Sequence, residues 1–203
     1  MIDLNLIRHG KTQWNLEKKI QGEKDIPLSP QGKVQIMGWS FFLKDISLDL
    51  ILSSPMARAR QTAEILGKNL GLEIVMDENI REQAFGLWEG KSIDEIRRES
   101  SGIVEEQERL GWNFSPPGGE ARHEVLNRSL GAMEAAAARF KGLNLLVVTH
   151  QGVINSLVYH ALGRSFLPEE KRIIRDGHVH KFSWDQELIL RKLNAMDLNQ
   201  ERP

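Results

Sequence analysis

Three apolar runs in this sequence each end in residues suited to handling a phosphate. Ile2 to Ile7 runs into Arg8-His9-Gly10, Asp49 to Ser53 leads through Ser54-Pro55 to Arg58, and Leu145 to Thr149 delivers His150-Gln151-Gly152. A neutral imidazole is a competent nucleophile towards phosphorus. Arginine presents a planar donor fork to phosphate oxygens and stays charged at any working pH. Attack by His9 would give an N–P bond that water later cleaves, with Arg8, Arg58 and His150 stabilising the charge that spreads over the equatorial oxygens. No metal is needed where that clamp is complete, and none is expected. The leaving alkoxide still requires a proton. Glu82, in Arg81-Glu82-Gln83-Ala84-Phe85-Gly86, is the leading candidate for the acid, with Glu78 and Glu89 flanking it. A helix beginning after Pro55 would add its positive end.

These residues need a scaffold that gathers strand ends. The runs at 2–7 and 49–53 are strand-sized, and Leu145-Leu146-Val147-Val148-Thr149 is apolar on both pleat faces, as in a strand buried between helical layers. Helical patterns lie between them: Val34, Met37 and Phe41 share one face, Ala59, Ala63, Leu66 and Leu70 another. Leu126, Leu130, Met133, Ala137 and Phe140 repeat at spacings of four and three. Strands alternating with helices imply an α/β fold with a mainly parallel sheet covered on both faces, and such sheets bind ligands at the carboxyl ends of their strands. Lys91 to Gly119 breaks the rhythm and reads as a short helical excursion followed by a loop. His178 to Trp184 and Leu188 to Leu193 read as two strands joined near Asp185-Gln186.

Composition narrows the classes further. The chain has 203 residues and a net charge of −1, and is read as a single domain, 1–203, with a lid-like insertion at about 91–119. Near-neutral charge gives no argument for nucleic acid or an anionic membrane. The absence of cysteine excludes disulfides, thiolate metal sites and a cysteine nucleophile. No basic segment leads a long apolar stretch at the start, and no run approaches bilayer length, so the expected location is the cytoplasm. The expected partner is a small-molecule phosphate ester, without a cofactor, and a homodimer is one assembly open to it.

Taken together, the motifs resemble the histidine phosphatase superfamily, the phosphoglycerate mutase-like fold. The resemblance is carried by Leu6-Ile7-Arg8-His9-Gly10 with Thr12 and Asn15, Gln21-Gly22, Asp25-Ile26-Pro27-Leu28-Ser29 and Gly32. It continues in Ser53-Ser54-Pro55-Met56-Ala57-Arg58-Ala59-Arg60-Gln61-Thr62-Ala63, Phe85-Gly86-Leu87-Trp88-Glu89-Gly90, Pro117-Gly118-Gly119-Glu120 and Val147-Val148-Thr149-His150. It implies a three-layer sandwich with a mixed, mostly parallel sheet flanked by helices. It also implies His9 as the phosphorylated nucleophile, Arg8, Arg58 and His150 as phosphoryl ligands, and Glu82 as proton donor and later base. Asn15, Thr12, Gln21 and Gly22 would add phosphate-pocket contacts.

Other residues have blander readings. His178 and His180 would share a strand face and invite a metal, but lack a third clustered ligand. His123 and His160 read as surface or packing residues, and Trp112 as a residue for the pocket entrance. Gly10-Lys11-Thr12 looks like the tail of a P-loop, yet the glycine that loop needs five residues earlier is Asn5. Hydrolysis is favoured over mutase-type transfer, because mutases that resemble this chain have arginine and tyrosine where Gln83 and Phe85 stand. A non-catalytic phosphate-binding module is the third reading, and the filled core positions argue against it. Gln151 and Lys11 depart from the family's usual glycine and glutamate and bear on specificity alone.

Overall fold

The computed structural model describes residues 1–200. In chain order the elements that place the site are β1 (Ile2–Arg8), α1 (Gln13–Leu16), α2 (Pro30–Leu43), β2 (Leu50–Ser53), α3 (Ala57–Leu70), β3 (Ile74–Met76), α4 (Ile93–Glu99) and α5 (Ile103–Glu108). They are followed by α6 (Arg122–Arg139), β4 (Asn144–Thr149), α7 (Gln151–Ala161), β5 (His178–Asp185) and β6 (Glu187–Asp197). The strands form one six-stranded sheet in the order β3-β2-β4-β1-β5-β6. The first three neighbouring pairs are parallel and the last two antiparallel. This is the mixed, mostly parallel sheet expected. β3 went unpredicted, since an edge strand of three residues is too short to carry a pattern.

The central strand alternates between two cores. Leu145 and Val147 face α6 and α7, packing with Leu4, Leu6, Val125, Met133, Val153 and Leu157. Leu146 and Val148 face α2 and α3, packing with Ile7, Ile36, Leu43, Ala59 and Leu66. A period-two strand can serve two helical layers only when both of its faces are apolar, as they are in β4. A third, smaller cluster of Trp88, Ile96, Val104 and Phe114 lies under α4 and α5. Among the described residues no helix is long and apolar enough to cross a membrane.

Two helix faces differ from expectation. In α2 the buried stripe is Ile36, Trp39, Ser40 and Leu43, while Val34, Met37 and Phe41 lie exposed. Apolar residues on both sides of this helix leave its periodicity ambiguous, and packing against the sheet decides. In α6 the buried set is Val125, Ser129, Ala132, Met133 and Ala136. Leu126, Leu130, Ala137 and Phe140 flank it, only partly buried. Small residues let the helix approach the sheet closely, so the larger leucines are turned to the sides.

Candidate active site

Three strand ends are locked together just beyond their last paired residues. Arg8 pairs with Thr149 and Ser53 with Val148 in the parallel register. The ladder then continues through His9 N–H to Thr149 O (3.0 Å) and Ser54 N–H to Val148 O (3.0 Å). His9, Ser54 and His150 are therefore held side by side where the sheet stops. The rings of His9 and His150 lie 5.2 Å apart between centroids, and both are buried.

The hydrogen bonds assign each ring its role. His9 Nδ1 lies 2.7 Å from Gly10 O. A carbonyl can only accept, so Nδ1 carries the proton and Nε2 keeps its lone pair. His150 Nε2 lies 2.8 Å from Ser54 Oγ, and Ser54 Oγ also accepts from Met56 N–H. Ser54 Oγ can therefore donate to Nε2, the tautomer in which His150 Nδ1 holds the proton. That Nδ1 is buried without a partner, as is Arg58 Nε. Orphaned buried donors are costly, and two of them beside a free imidazole nitrogen define a place for an anion.

Arg58 is wholly buried and cannot swing away. Its Nη1 and Nη2 donate to Lys24 O and Gly22 O, each at 2.8 Å. Thr62 Oγ1 accepts from Gly10 N–H (3.0 Å) and donates to Arg58 O (2.7 Å), tying the turn after His9 to α3. Burial, then the charges of Arg8 and Arg58, hold the His9 pKa well below 6.5. Burial, then Arg58, His9, Arg8 and Arg128, do the same for His150. Both imidazoles are accordingly neutral at pH 7. Burial also lowers the pKa of Arg58, opposed by the charge of Glu82.

The three glutamates stand in different surroundings. Glu78 is exposed. Glu89 Oε1 is occupied by the N–H groups of Glu23 and Phe85. Glu82 is buried and lines a cavity of about 240 Å³ with Arg8, Asn15, Gln21 and Gly22. Its Oε1 accepts from Gln83 N–H (3.0 Å) and Gly152 N–H (2.9 Å). A Cβ on Gly152 would come within 2.4 Å of that oxygen, so a larger residue there would displace the carboxylate. Thr12 stands behind the pocket: wholly buried, it caps α1 and donates to Gln21 Oε1.

Several expectations shift. One amide at the amino end of α3, Ala57 N–H, already donates to a carboxylate, Asp25 Oδ1, at 2.6 Å. The helix end facing Glu82 is that of α7, through Gly152 N–H. Trp112 lies away from the cavity, donating to Arg164 O and packing edge-on against Phe166. Phe166 lines the cavity in its place. Lys11 borders a wider groove beside α2, which Arg8, His9 and Asn15 also line. Gln151 does face the cavity, its amide bonded to Asn155. His178 and His180 are used separately: His178 faces Asp197 at 3.8 Å, and His180 Nδ1 accepts from Asn194 N–H. Among the described residues, no group of three or more His, Cys, Asp or Glu side chains is arranged to hold a metal.

The sequence model of the histidine phosphatase superfamily, branch 1, matches residues 4–194. The chain belongs to the histidine phosphatase superfamily. It is 30% identical over 190 residues to a probable phosphoglycerate mutase GpmB of Escherichia coli, a match covering 94% of this chain and 88% of that protein. The structure is similar to that of Bacillus stearothermophilus YhfR, with a TM-score of 0.87 at 29% identity over 98% and 99% of the two chains. A mycobacterial glucosyl-3-phosphoglycerate phosphatase gives a TM-score of 0.85 at 26% identity over 96% and 99%.

Within this superfamily scaffold, one arginine escaped the sequence reading. Arg128, on α6, donates to the carbonyls of Asn79, Arg81 and Glu82 at 2.7, 2.7 and 3.1 Å. Its Nε and Nη2 hold both oxygens of Glu120, at 2.7 and 2.9 Å. It clamps the loop that carries Glu82. Glu120 lies just before α6, outside the helix, so no helical spacing in the sequence links the two.

Proposed function

We propose that this chain is a phosphatase that hydrolyses phosphate monoesters of small alcohols through a phosphohistidine on His9. The observation carrying this reading is the His9 ring, with Nδ1 tied to Gly10 O and Nε2 free, beside the unpartnered Arg58 Nε and His150 Nδ1. His9 Nε2 attacks phosphorus, forming the N–P bond as the ester P–O bond breaks. Glu82, entering as the carboxylic acid, gives its proton to the leaving oxygen. Arg8, Arg58 and His150 take the equatorial oxygens, a role that the burial of Arg58 and His150 supports. Glu82, now a carboxylate, accepts a proton from water, whose oxygen attacks phosphorus. The N–P bond breaks, releasing phosphate and neutral His9. Asn15 and Gln21 would contact the phosphate from the α1 side, and the 91–119 excursion would close over the leaving group.

The likeness to a probable mutase favours a second reading, transfer of the phosphoryl group to another hydroxyl. Against it, Gln83 spends its amide on Glu120 O, and Phe85 packs on Phe114, so neither supplies a basic or phenolic contact. A panel of phosphate esters assayed with excess chelator, for wild type and His9→Ala, tests the proposal. Chelator-resistant turnover lost in the variant is expected. Turnover surviving in His9→Ala contradicts it, and a phosphoenzyme stable until a second hydroxy compound is added replaces it with the transferase reading.

A further inference from the structure

Of the three glutamates near the acid's position, Glu89 is taken up by two backbone N–H groups. Its Oε1 accepts from Glu23 N–H at 2.8 Å and from Phe85 N–H at 3.1 Å. The two donors belong to different loops. Glu23 lies in the loop that runs past Arg58, and Phe85 follows Glu82 by three residues. One carboxylate oxygen therefore bridges the loop beside the phosphate clamp to the loop of the proton donor.

The link to Arg58 passes through a single peptide group. Glu23 N–H and Gly22 O belong to one peptide unit, and Gly22 O accepts from Arg58 Nη2 at 2.8 Å. Lys24 O, on the far side of Glu23, accepts from Nη1 at 2.8 Å. A negative charge on the N–H side polarises such a unit and strengthens the bond made by its carbonyl. Burial lowers the pKa of Arg58, and the charges of Glu82, Asp25 and Glu89 oppose that shift. The Nε of Arg58 has no protein partner, so the two bonds at the other nitrogens set its aim.

Backbone pairing brings Glu89 to this loop. Gly90 N–H donates to Ile20 O (2.8 Å), and Ile20 N–H donates to Lys91 O (2.9 Å). Gly22 sits at φ 52°, and a Cβ on it would collide with the Glu89 carboxylate. An ion pair of Arg81 Nε with Glu23 Oε1 (3.1 Å) spans the same loops, but both side chains are at least 34% exposed. Pairs so exposed contribute little.

Resting on the phosphatase reading, we infer that Glu89 is a positioning residue that couples the aim of Arg58 to the placement of Glu82. It touches neither substrate nor the reacting atoms. Loss of its oxygen frees the Gly22–Glu23 peptide and the 82–85 loop together, so phosphoryl binding and proton donation weaken together. A residue that only stabilised the fold would lower turnover on every ester alike.

The test measures two quantities in wild type and each variant. The inhibition constant of orthovanadate reads the phosphoryl clamp. The kcat/KM ratio of the panel's fastest alkyl phosphate to p-nitrophenyl phosphate reads the acid, because nitrophenolate barely needs a proton. In Glu89→Leu the inhibition constant should rise and the ratio should fall, each by about fivefold or more. Glu89→Asp keeps the charge but is one methylene short of reaching both N–H groups. It should move both quantities the same way by about twofold or more, and it carries the test if the Leu variant does not fold. Glu89→Gln retains an accepting oxygen and should bring both to within about threefold of wild type. A folded Leu or Asp variant in which either quantity keeps its wild-type value overturns the inference, as does a Gln variant as impaired as Leu. Hydrolysis of p-nitrophenyl phosphate by wild type and His9→Ala separates the two failures. If that hydrolysis depends on His9 while the Glu89 results fail, only the coupling is wrong; if it survives in His9→Ala, the phosphatase reading itself falls.

Discussion

The strand-end pocket of His9 and the cavity lined by Glu82 both reach Arg8, yet they are made of different material. The pocket is set by sheet geometry. His9, Ser54 and His150 each follow a strand by one residue, and backbone ladder bonds hold the strand ends in register. The cavity wall is a composite of Phe85, Phe114, Arg122, Asn155 and Phe166, drawn from loops and helix ends far apart in sequence. A sheet edge fixes donor positions within a bond length and suits a transition state common to every ester. A wall of loop residues can vary without disturbing that edge, and suits the choice of ester.

If this division is right, substitutions in the pocket should cost turnover on all substrates, and substitutions on the wall should redistribute it. The largest effect is expected for His9→Ala, a loss of about a thousandfold or more on every ester. A loss limited to some esters would erase the distinction. Next comes Glu82→Gln. The slowing should be about a hundredfold or more on alkyl phosphates and much smaller on p-nitrophenyl phosphate, whose leaving group barely needs a proton. Equal slowing on both would remove Glu82 from the acid's role. Arg128→Lys should slow alkyl phosphates by about tenfold with the same leaving-group dependence. It holds the acid's loop rather than touching substrate, so a rise in KM at constant kcat would contradict that role.

The smallest effects concern pH. His9 and His150 have folded-state pKa values well below 6.5, and His180 has one of about 4, all chiefly because of burial. The unfolded chain therefore takes up protons first as pH falls through 6.5. Stability is complete above that pH and is lost as pH falls towards the folded-state values, by ~1.4 kcal/mol per pH unit for each fully linked histidine. Melting temperatures should drop between pH 7.5 and 5, and His180→Gln should flatten part of the slope. The same shift keeps the nucleophile neutral, so histidine protonation should not cut kcat/KM as pH falls from 7 to 6. A titration centred at 6.5 would show a histidine far less desolvated than this one.

The two regions also differ in how far they could be read from sequence. The pocket was legible because each member lies within a few residues of a strand end, where a local motif and a structural position coincide. Glu82 was harder: three glutamates competed, and what sets it apart is that it alone of the three lines the cavity with Arg8. Arg128 and Arg122 were invisible. On a charged helix, sequence cannot separate a solvated arginine from a clamp or a cavity wall, because the partners lie on other loops. The stripe Val34, Met37 and Phe41 misled for a related reason. A helix apolar on both sides satisfies the periodicity twice, and only the sheet beneath it selects Ile36, Trp39 and Leu43.

The central claim is a covalent bond between His9 Nε2 and phosphorus. Wild-type protein mixed with a ³²P-labelled ester, quenched within a turnover under alkaline conditions and digested, should yield labelled peptide whose label is acid-labile and maps to His9. Absence of label during active turnover, or label on another residue, would contradict the account.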